Sequence, residues 1–453
     1  MRIVAAVFLA CSLGLLVLGC GKAETQPDAD VVVIISPHNP HIRSEFSRAF
    51  EQWYQQQFGR SVQLNWRDVG GTGQILQFLR GEYEAADKRG VGDEGIGVDI
   101  FFGGGPTHEQ AKQLGLTMPA RVSDEALKQI PPELSGVKLY DPDKYWFGAA
   151  LSGFGIIYFA EGLTELSMDP PTKWADLADG RYWGRLVLAD GSKSGSARAC
   201  YEMILQKYGW EAGLPLLLRT AGNTRQFVES GSTVPREVAK GSCLAGMCID
   251  FYGYAQIDQV GSDKANFVLP EGETAIAPDP IGLLRGAPHR QAAERLIEFV
   301  LSEAGQKLWC LRAGAPGGPA KYSLYRLPVR PDIYTKYKKK DLVVYSNPFA
   351  QKAAMQFDDQ VNARRSQWLG WLLKAACVDN QKLLRQAWKA VIDSNMNPKL
   401  VAEFDRLPCS EGEAFTLGEQ LAASEEGRDK VTRQWFDFYR AKYETILSMA
   451  GGG

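Results

Sequence analysis

Histidine is scarce in this sequence, with four residues in a chain of 453. Two of them, His38 and His41, share one loop, and neither the His-Glu-x-x-His helix of zinc proteases nor the Gly-x-Ser-x-Gly elbow of serine hydrolases occurs. An enzyme reading has little to build on. Excess charge is lacking too: 51 Lys and Arg face 53 Asp and Glu. That balance argues against a nucleic-acid surface, and the Lys336 to Lys340 run reads as a solvated helix end. Beyond the first twenty residues no apolar run approaches the roughly 20 residues of a membrane span.

What is present begins at the amino terminus. Arg2 precedes an apolar run from Ile3 to Leu18 that suits a secretory signal. It closes on Val17-Leu18-Gly19-Cys20, which resembles a bacterial lipobox although Leu18 is bulky for its position. Residues 1–19 are expected to be removed and Cys20 to be acylated, with 20–30 as a polar tether. Loss of Arg2 shifts the formal charge of −2 to −3. The remaining length suggests two to three domains. Besides Cys11 and Cys20 there are six cysteines, Cys200, Cys243, Cys248, Cys310, Cys377 and Cys409. An even number in an exported chain permits disulfides of unassigned pairing, with buried thiols as the alternative, and their spacing gives no zinc pattern.

The mature chain opens as an α/β protein. Val31 to Ile35 is a β-branched run that breaks at Ser36-Pro37-His38-Asn39-Pro40, and a helix follows with Ile42, Phe46, Phe50 and Trp53 on one face. A strand over 62–66 reaches Gly70-Gly71-Thr72-Gly73 and another helix. A third strand, 98–102, ends in Gly103-Gly104-Gly105. Repeated strand, polar loop and helix predict an open sheet with ligands at the carboxyl ends of its strands. A second unit shows the same grammar: a crossover strand within 145–158, a strand at 186–188 leading to Ser194-Gly195-Ser196, a cap at Ser232 or Thr233, and a strand at 244–251 ending in Asp250-Phe251-Tyr252-Gly253-Tyr254. A return strand at 279–284 and a helix over 289–309 follow, and the pattern is helical from about residue 347. Gly90 to Gly95 spells a dinucleotide fingerprint, but no strand precedes it and no helix follows, so it reads as a loop.

Several of these segments, taken in order, resemble periplasmic substrate-binding proteins of the iron(III)-type transport family. They are Ile34-Ile35-Ser36-Pro37-His38-Asn39, Gly71-Thr72-Gly73, Asp99 to Gly105, Trp174-Ala175-Asp176-Leu177, Trp183-Gly184-Arg185-Leu186, Ser194-Gly195-Ser196, Val234 to Ala239, Pro278 to Gly282 and Ala292 to Gln306. The resemblance spans about 300 residues and leaves the C-terminal stretch outside it. It implies a two-lobed periplasmic-binding-protein fold of type II. Lobe one would take 31–149 and 277–346, lobe two 150–276, and 347–453 would be an added helical extension. It also implies delivery of a small ligand to the membrane subunits of an ABC transporter from the periplasm or cell envelope, with the lipid anchor as membrane contact.

Candidate ligand contacts are Ser36, His38 and Asn39 after the first strand; Gly71, Thr72, Gly104 and Gly105 as hydroxyl and N–H donors; and Ser194, Ser196, Ser232 and Thr233 facing them from lobe two. Asp250 and Tyr252 complete the set. No cofactor is expected. Ferric iron as cargo would call on hard oxygen donors, here Tyr252 and Tyr254 with His38, the two tyrosines pointing the same way along a strand. Family members that bind bare iron use adjacent tyrosines, whereas Gly253 separates these. The loop chemistry favours an oxyanion-bearing molecule.

Overall fold

The computed structural model describes residues 29–105, 107–350 and 355–451. The signal, the lipobox Cys20 and most of the tether lie outside these residues. Strand β1 (Asp30–Ile35) is followed by helix α1 (Pro40–Phe58), β2 (Val62–Arg67), α2 (Thr72–Lys88) and β3 (Ile100–Phe102). The start of α1 shows why the chain turns there. Asn39 accepts from the N–H groups of His41 and Ile42, Pro40 fills the first turn, and Gly59 closes the helix with φ 67°.

Strand β4 (Phe147–Phe159) is the long crossover, and β5 (Leu186–Ala189), α3 (Gly195–Gly222), β6 (Thr224–Val228), α4 (Thr233–Ala239), β7 (Ala245–Ile249), α5 (Asp250–Val260), β8 (Ala265–Val268) and β9 (Ile276–Leu284) follow it. The strands run β2-β1-β3-β9-β4-β7-β5-β6, with β8 paired to β4. Both sides of the join use β4. Its first half pairs antiparallel with β9, from Phe147↔Ile281 to Gly153↔Ile276. Its second half pairs with β7, from Phe154↔Ile249 to Tyr158↔Ala245. The changeover at Gly153–Phe154 divides a first lobe around β1 from a second around β5, and β9 returns the chain to the first. This is the two-lobed α/β architecture that the resemblance implied.

Three local expectations are corrected. The strand expected over 244–251 stops at Ile249, and Asp250 opens α5 instead, its carboxylate accepting from the Phe251 N–H at 2.7 Å. The helix expected over 289–309 is two, Arg290–Leu301 and Glu303–Cys310, because Ser302 is extended and caps the second. Ser232 does not cap α4; its backbone is helical and its hydroxyl meets Ser230 at 2.9 Å. The segment 90–95 is a loop with a single short turn, as its context required.

Beyond residue 358 the chain is helical, with α6 (Gln381–Asp393), α7 (Pro398–Asp405), α8 (Glu411–Ala423) and α9 (Glu425–Gly451). Of these, α6 and α7 pack on α3 of lobe two, while α9 packs against α6, α7 and α8. Trp388 is 1% exposed and donates from Nε1 to Asn223 at 2.7 Å. It lies so close to Gly222 that a Cβ there would meet its ring at 2.7 Å. Arg365 and Glu202 pair at 2.7 Å with both side chains buried. The extension therefore shares lobe two's core. All six cysteines are free thiols, five of them buried, so among the described residues the buried-thiol reading stands and the disulfide reading does not. No described helix is long and apolar enough to cross a membrane.

Candidate functional site

In lobe one, the loops after β1 and β3 converge on a carboxylate that β9 supplies. Ser36 is buried and its hydroxyl accepts from the His38 N–H at 3.1 Å. His38 is also buried, with Nε2 3.0 Å from Asp279 Oδ2 and its ring edge-on to Phe102. The other oxygen of Asp279 accepts from Gly104 N–H at 2.8 Å and Gly105 N–H at 3.2 Å. Arg326 approaches Asp279 at 3.2 Å. Burial opposes ionisation of Asp279, but Arg326 and the His38 hydrogen bond outweigh it and hold this carboxyl well below the usual range. Burial lowers the His38 pKa despite Asp279, so the ring is neutral at pH 7.

This geometry alters what the lobe-one candidates offer. The N–H groups of Gly104 and Gly105, expected to face a ligand, are occupied by Asp279, and that of Gly71 is occupied by Gln74 Oε1 at 2.8 Å. Asn39 is committed to capping α1. Thr72 stays available: it opens α2 with its methyl beside Gly104, and among the described residues its hydroxyl has no partner.

In lobe two, the loops after β5 and β6 press together. Ser194 Oγ accepts from Ala197 N–H at 3.3 Å, capping α3, and from Gly231 N–H at 3.2 Å, and it lies 3.3 Å from Ser196 Oγ. A Cβ at Gly231 would sit 2.4 Å from Ser196 Oγ, so this approach needs glycine. Ser230 and Ser232 continue the hydroxyl surface, and Thr233 accepts from Arg236 at 3.0 Å. Arg198, one turn into α3, donates to the Gly191 carbonyl at 2.8 Å. Ser194, Ser196, Ser232 and Thr233 are thus gathered as the sequence suggested, with Arg198 and Arg236 beside them.

The join holds the remaining candidates. Asp250 is fully buried; its oxygens accept from Gly153 N–H at 2.8 Å, where β4 changes partners, and from Phe251 N–H. Burial pushes its pKa up to about 7. Arg326 spans the same place, donating to Ser152 Oγ at 2.7 Å and lying 4.1 Å from the Phe251 ring. Asp250 therefore braces the point where β4 changes partners. Tyr252 is half-buried against Phe251, while Tyr254 is sealed in the core with its hydroxyl bonded to Ser346 at 2.7 Å. The two tyrosines sit on a helix, where positions two apart diverge by about 200°, so they do not point the same way. The expected trio of His38, Tyr252 and Tyr254 is not assembled. Among the described residues no cluster of three or more His, Cys, Asp and Glu is placed to hold a metal ion.

Sequence reasoning missed Asp279, Arg326, Ser152 and Arg198 as site residues. Asp279 had a signal, an acid between Pro278 and Pro280 in a buried strand. Arg326 had none, since its partners Ser152 and Asp279 are 174 and 47 residues away and the segment around it is irregular.

With this geometry in view, the comparisons with known proteins are specific. Residues 96–362 match the family of bacterial extracellular solute-binding proteins, and the chain belongs to that family. A phosphoglycerate transport regulatory protein of Salmonella typhimurium is 28% identical over 159 residues, 35% of this chain and 39% of that protein. The chain thus spans about two fifths of that relative's length. The periplasmic binding protein AfuA of Actinobacillus pleuropneumoniae, solved with fructose-6-phosphate bound, superposes with a TM-score of 0.50 at 19% identity, covering 81% of this chain and 99% of that one. The apo ferric ion-binding protein A of Pasteurella haemolytica gives 0.50 at 16% identity, covering 67% and 86%. At such identities these two structures establish the fold alone, a two-lobed α/β architecture, which this chain extends with C-terminal helices.

Proposed function

We propose that this protein captures a small phosphorylated organic anion between its lobes and delivers it to an ABC transporter from the outer face of a membrane, held there by a lipid on Cys20. The observation that carries the ligand class is the cluster of Ser194, Ser196, Ser230, Ser232 and the Gly231 backbone at the amino end of α3, flanked by Arg198 and Arg236. Hydroxyl donors, guanidinium groups and a helix amino terminus form a surface suited to phosphate oxygens. On this reading Thr72 supplies a further hydroxyl donor from lobe one. The Salmonella relative is named for phosphoglycerate and the Actinobacillus protein was solved with a sugar phosphate, which supports the same class. Iron as cargo is disfavoured by its donors: Tyr254 is in the core and His38 is bonded to Asp279.

Native mass spectrometry of the purified protein, followed by titration with 3-phosphoglycerate and fructose 6-phosphate, tests this reading. A co-purified organic phosphate or saturable binding is expected. A coloured, iron-loaded protein that Tyr252→Phe bleaches would overturn it. A second reading, a ligand-sensing partner of a membrane receptor, is favoured by the word regulatory in the Salmonella relative's name. Pull-down of the membrane partner separates it from the transporter reading.

A further inference from the structure

Where α6 of the extension meets lobe two there is a groove of about 390 Å³ lined by Trp183, Arg225, Gln381, Lys382, Arg385 and Gln386. It is not the ligand cleft. Strands β5 and β6 are parallel, and the serine cluster lies at their carboxyl ends. Trp183 precedes β5 and Arg225 lies at the start of β6, so the groove sits at the amino ends, a strand length of about 16 Å away. Four of its six lining residues follow residue 362, beyond the span matched to the family.

Its cations are unbalanced. Among the described residues none of Arg225, Lys382 and Arg385 pairs with a carboxylate, while neighbouring carboxylates are already engaged: Asp393 by Lys389 and Asp179 by Arg181. Arg225 donates to the Ser242 carbonyl at 2.9 Å. Arg385 lies 5.3 Å from the Trp183 ring, and its Nε is buried with no partner. The end of α6 adds to the field: the Asn380 side chain donates to the Ala375 and Phe436 carbonyls at 2.9 and 3.2 Å instead of capping the helix, and Gln381 and Lys382 open it at the groove.

We propose that this groove is a second anion site, taking a small multivalent oxyanion of the phosphate type independently of the cleft. Its volume falls within the roughly 300–1,000 Å³ of small-molecule sites, which favours such an ion over an acidic protein segment. Inorganic pyrophosphate is the probe, titrated calorimetrically into the full mature chain at low salt, with Lys382→Glu and Arg385→Gln as groove variants and Thr72→Val as the cleft control. Each groove variant should weaken pyrophosphate by about tenfold or more, as loss of a charge-assisted contact implies, while 3-phosphoglycerate binding stays unchanged. Lys382 is exposed, so its reversal leaves the fold intact and keeps the test valid should Arg385→Gln destabilise the protein. Pyrophosphate affinity unaltered by Lys382→Glu would overturn the site, as would binding lost only in Thr72→Val. A glutamate-rich peptide that binds where pyrophosphate does not would replace it with a protein-docking surface. Failure of 3-phosphoglycerate to bind at all would bear on the cleft alone.

Discussion

Thr72 and Tyr252 separate the two ligand chemistries one atom at a time. Thr72→Val keeps the side-chain shape beside Gly104 and deletes a hydroxyl that has no partner among the described residues. With an anionic ligand the loss should be about 1.5–3 kcal/mol, the range for hydrogen bonds to charged groups. Tyr252→Phe should cost less, about 1 kcal/mol, and calorimetric titration with one phosphorylated ligand checks the order. Asp250 supplies a different residue-scale test. Its folded pKa of about 7 lies above the ordinary carboxyl value, so between about pH 4 and 7 the folded state binds the extra proton. Its contribution to stability is therefore full in acid and falls as pH rises through that window, by up to about 4 kcal/mol. Asp250→Asn should flatten this part of the pH–stability profile in denaturant melts; an unchanged slope would exclude Asp250 as its source. Legibility at this scale followed locality. Ser194 and Ser196 could be read because a cap is written in adjacent residues, whereas the engagement of Gly104 and Gly105 by Asp279 joins positions 175 and 174 apart and left no local mark.

Among the elements, β1 and β3 were legible because buried parallel strands are continuous β-branched or aromatic runs that end in turn residues. Helix α5 was not: Phe251-Tyr252-Gly253-Tyr254 has strand composition, and tertiary packing decides the matter, with Gly253 so close to Phe267 that a Cβ would sit 2.7 Å from its ring. The extension was legible as helices, but its docking on α3 was not, because Trp388 meets Asn223 across 165 residues. Within it α9 carries Lys442, which is 0% exposed, donates to the Arg406 carbonyl at 2.9 Å and lies 5.4 Å from the Tyr439 ring. Burial is the main cause of a pKa lowered to about 7, while Asp405 and Glu403 oppose it and Arg406 reinforces it. Between about pH 7 and 10 the unfolded chain binds the extra proton, so stability rises with pH across that window. Lys442→Met should remove this rise and stabilise the protein at neutral pH, as replacement of a buried charge by an apolar chain of similar length often does. A melting-temperature profile from pH 6.5 to 9.5 that is identical in both proteins would refute it.

On the scale of the whole molecule, β4 and β9 run between the lobes, and Asp250, Ser152 and Arg326 sit at the partner change of β4 at Gly153–Phe154. On the proposed reading lobe one contributes Thr72 and the Asp279 cluster, and lobe two contributes the serines. A ligand favours closure only as far as it touches both surfaces, so removing either set should reduce closure as well as affinity. With its phosphorylated ligand at saturation the protein should show a smaller radius of gyration in solution scattering and a higher melting temperature, the latter by mass action. Ser196→Ala together with Thr72→Val should lose both effects at the same ligand concentration. An unchanged radius with a raised melting temperature would mean a rigid pocket within one lobe. The proposed lipid on Cys20 makes the matching prediction for location: the wild-type protein should partition into detergent, and Cys20→Ser should release it to the soluble fraction of intact envelopes. A wild type that is already soluble there would place capture in free solution, so that the protein must diffuse to its transporter. The proposed tether would instead keep a closed, loaded molecule at high effective concentration beside a membrane partner, which would allow a modest affinity between the two to support delivery.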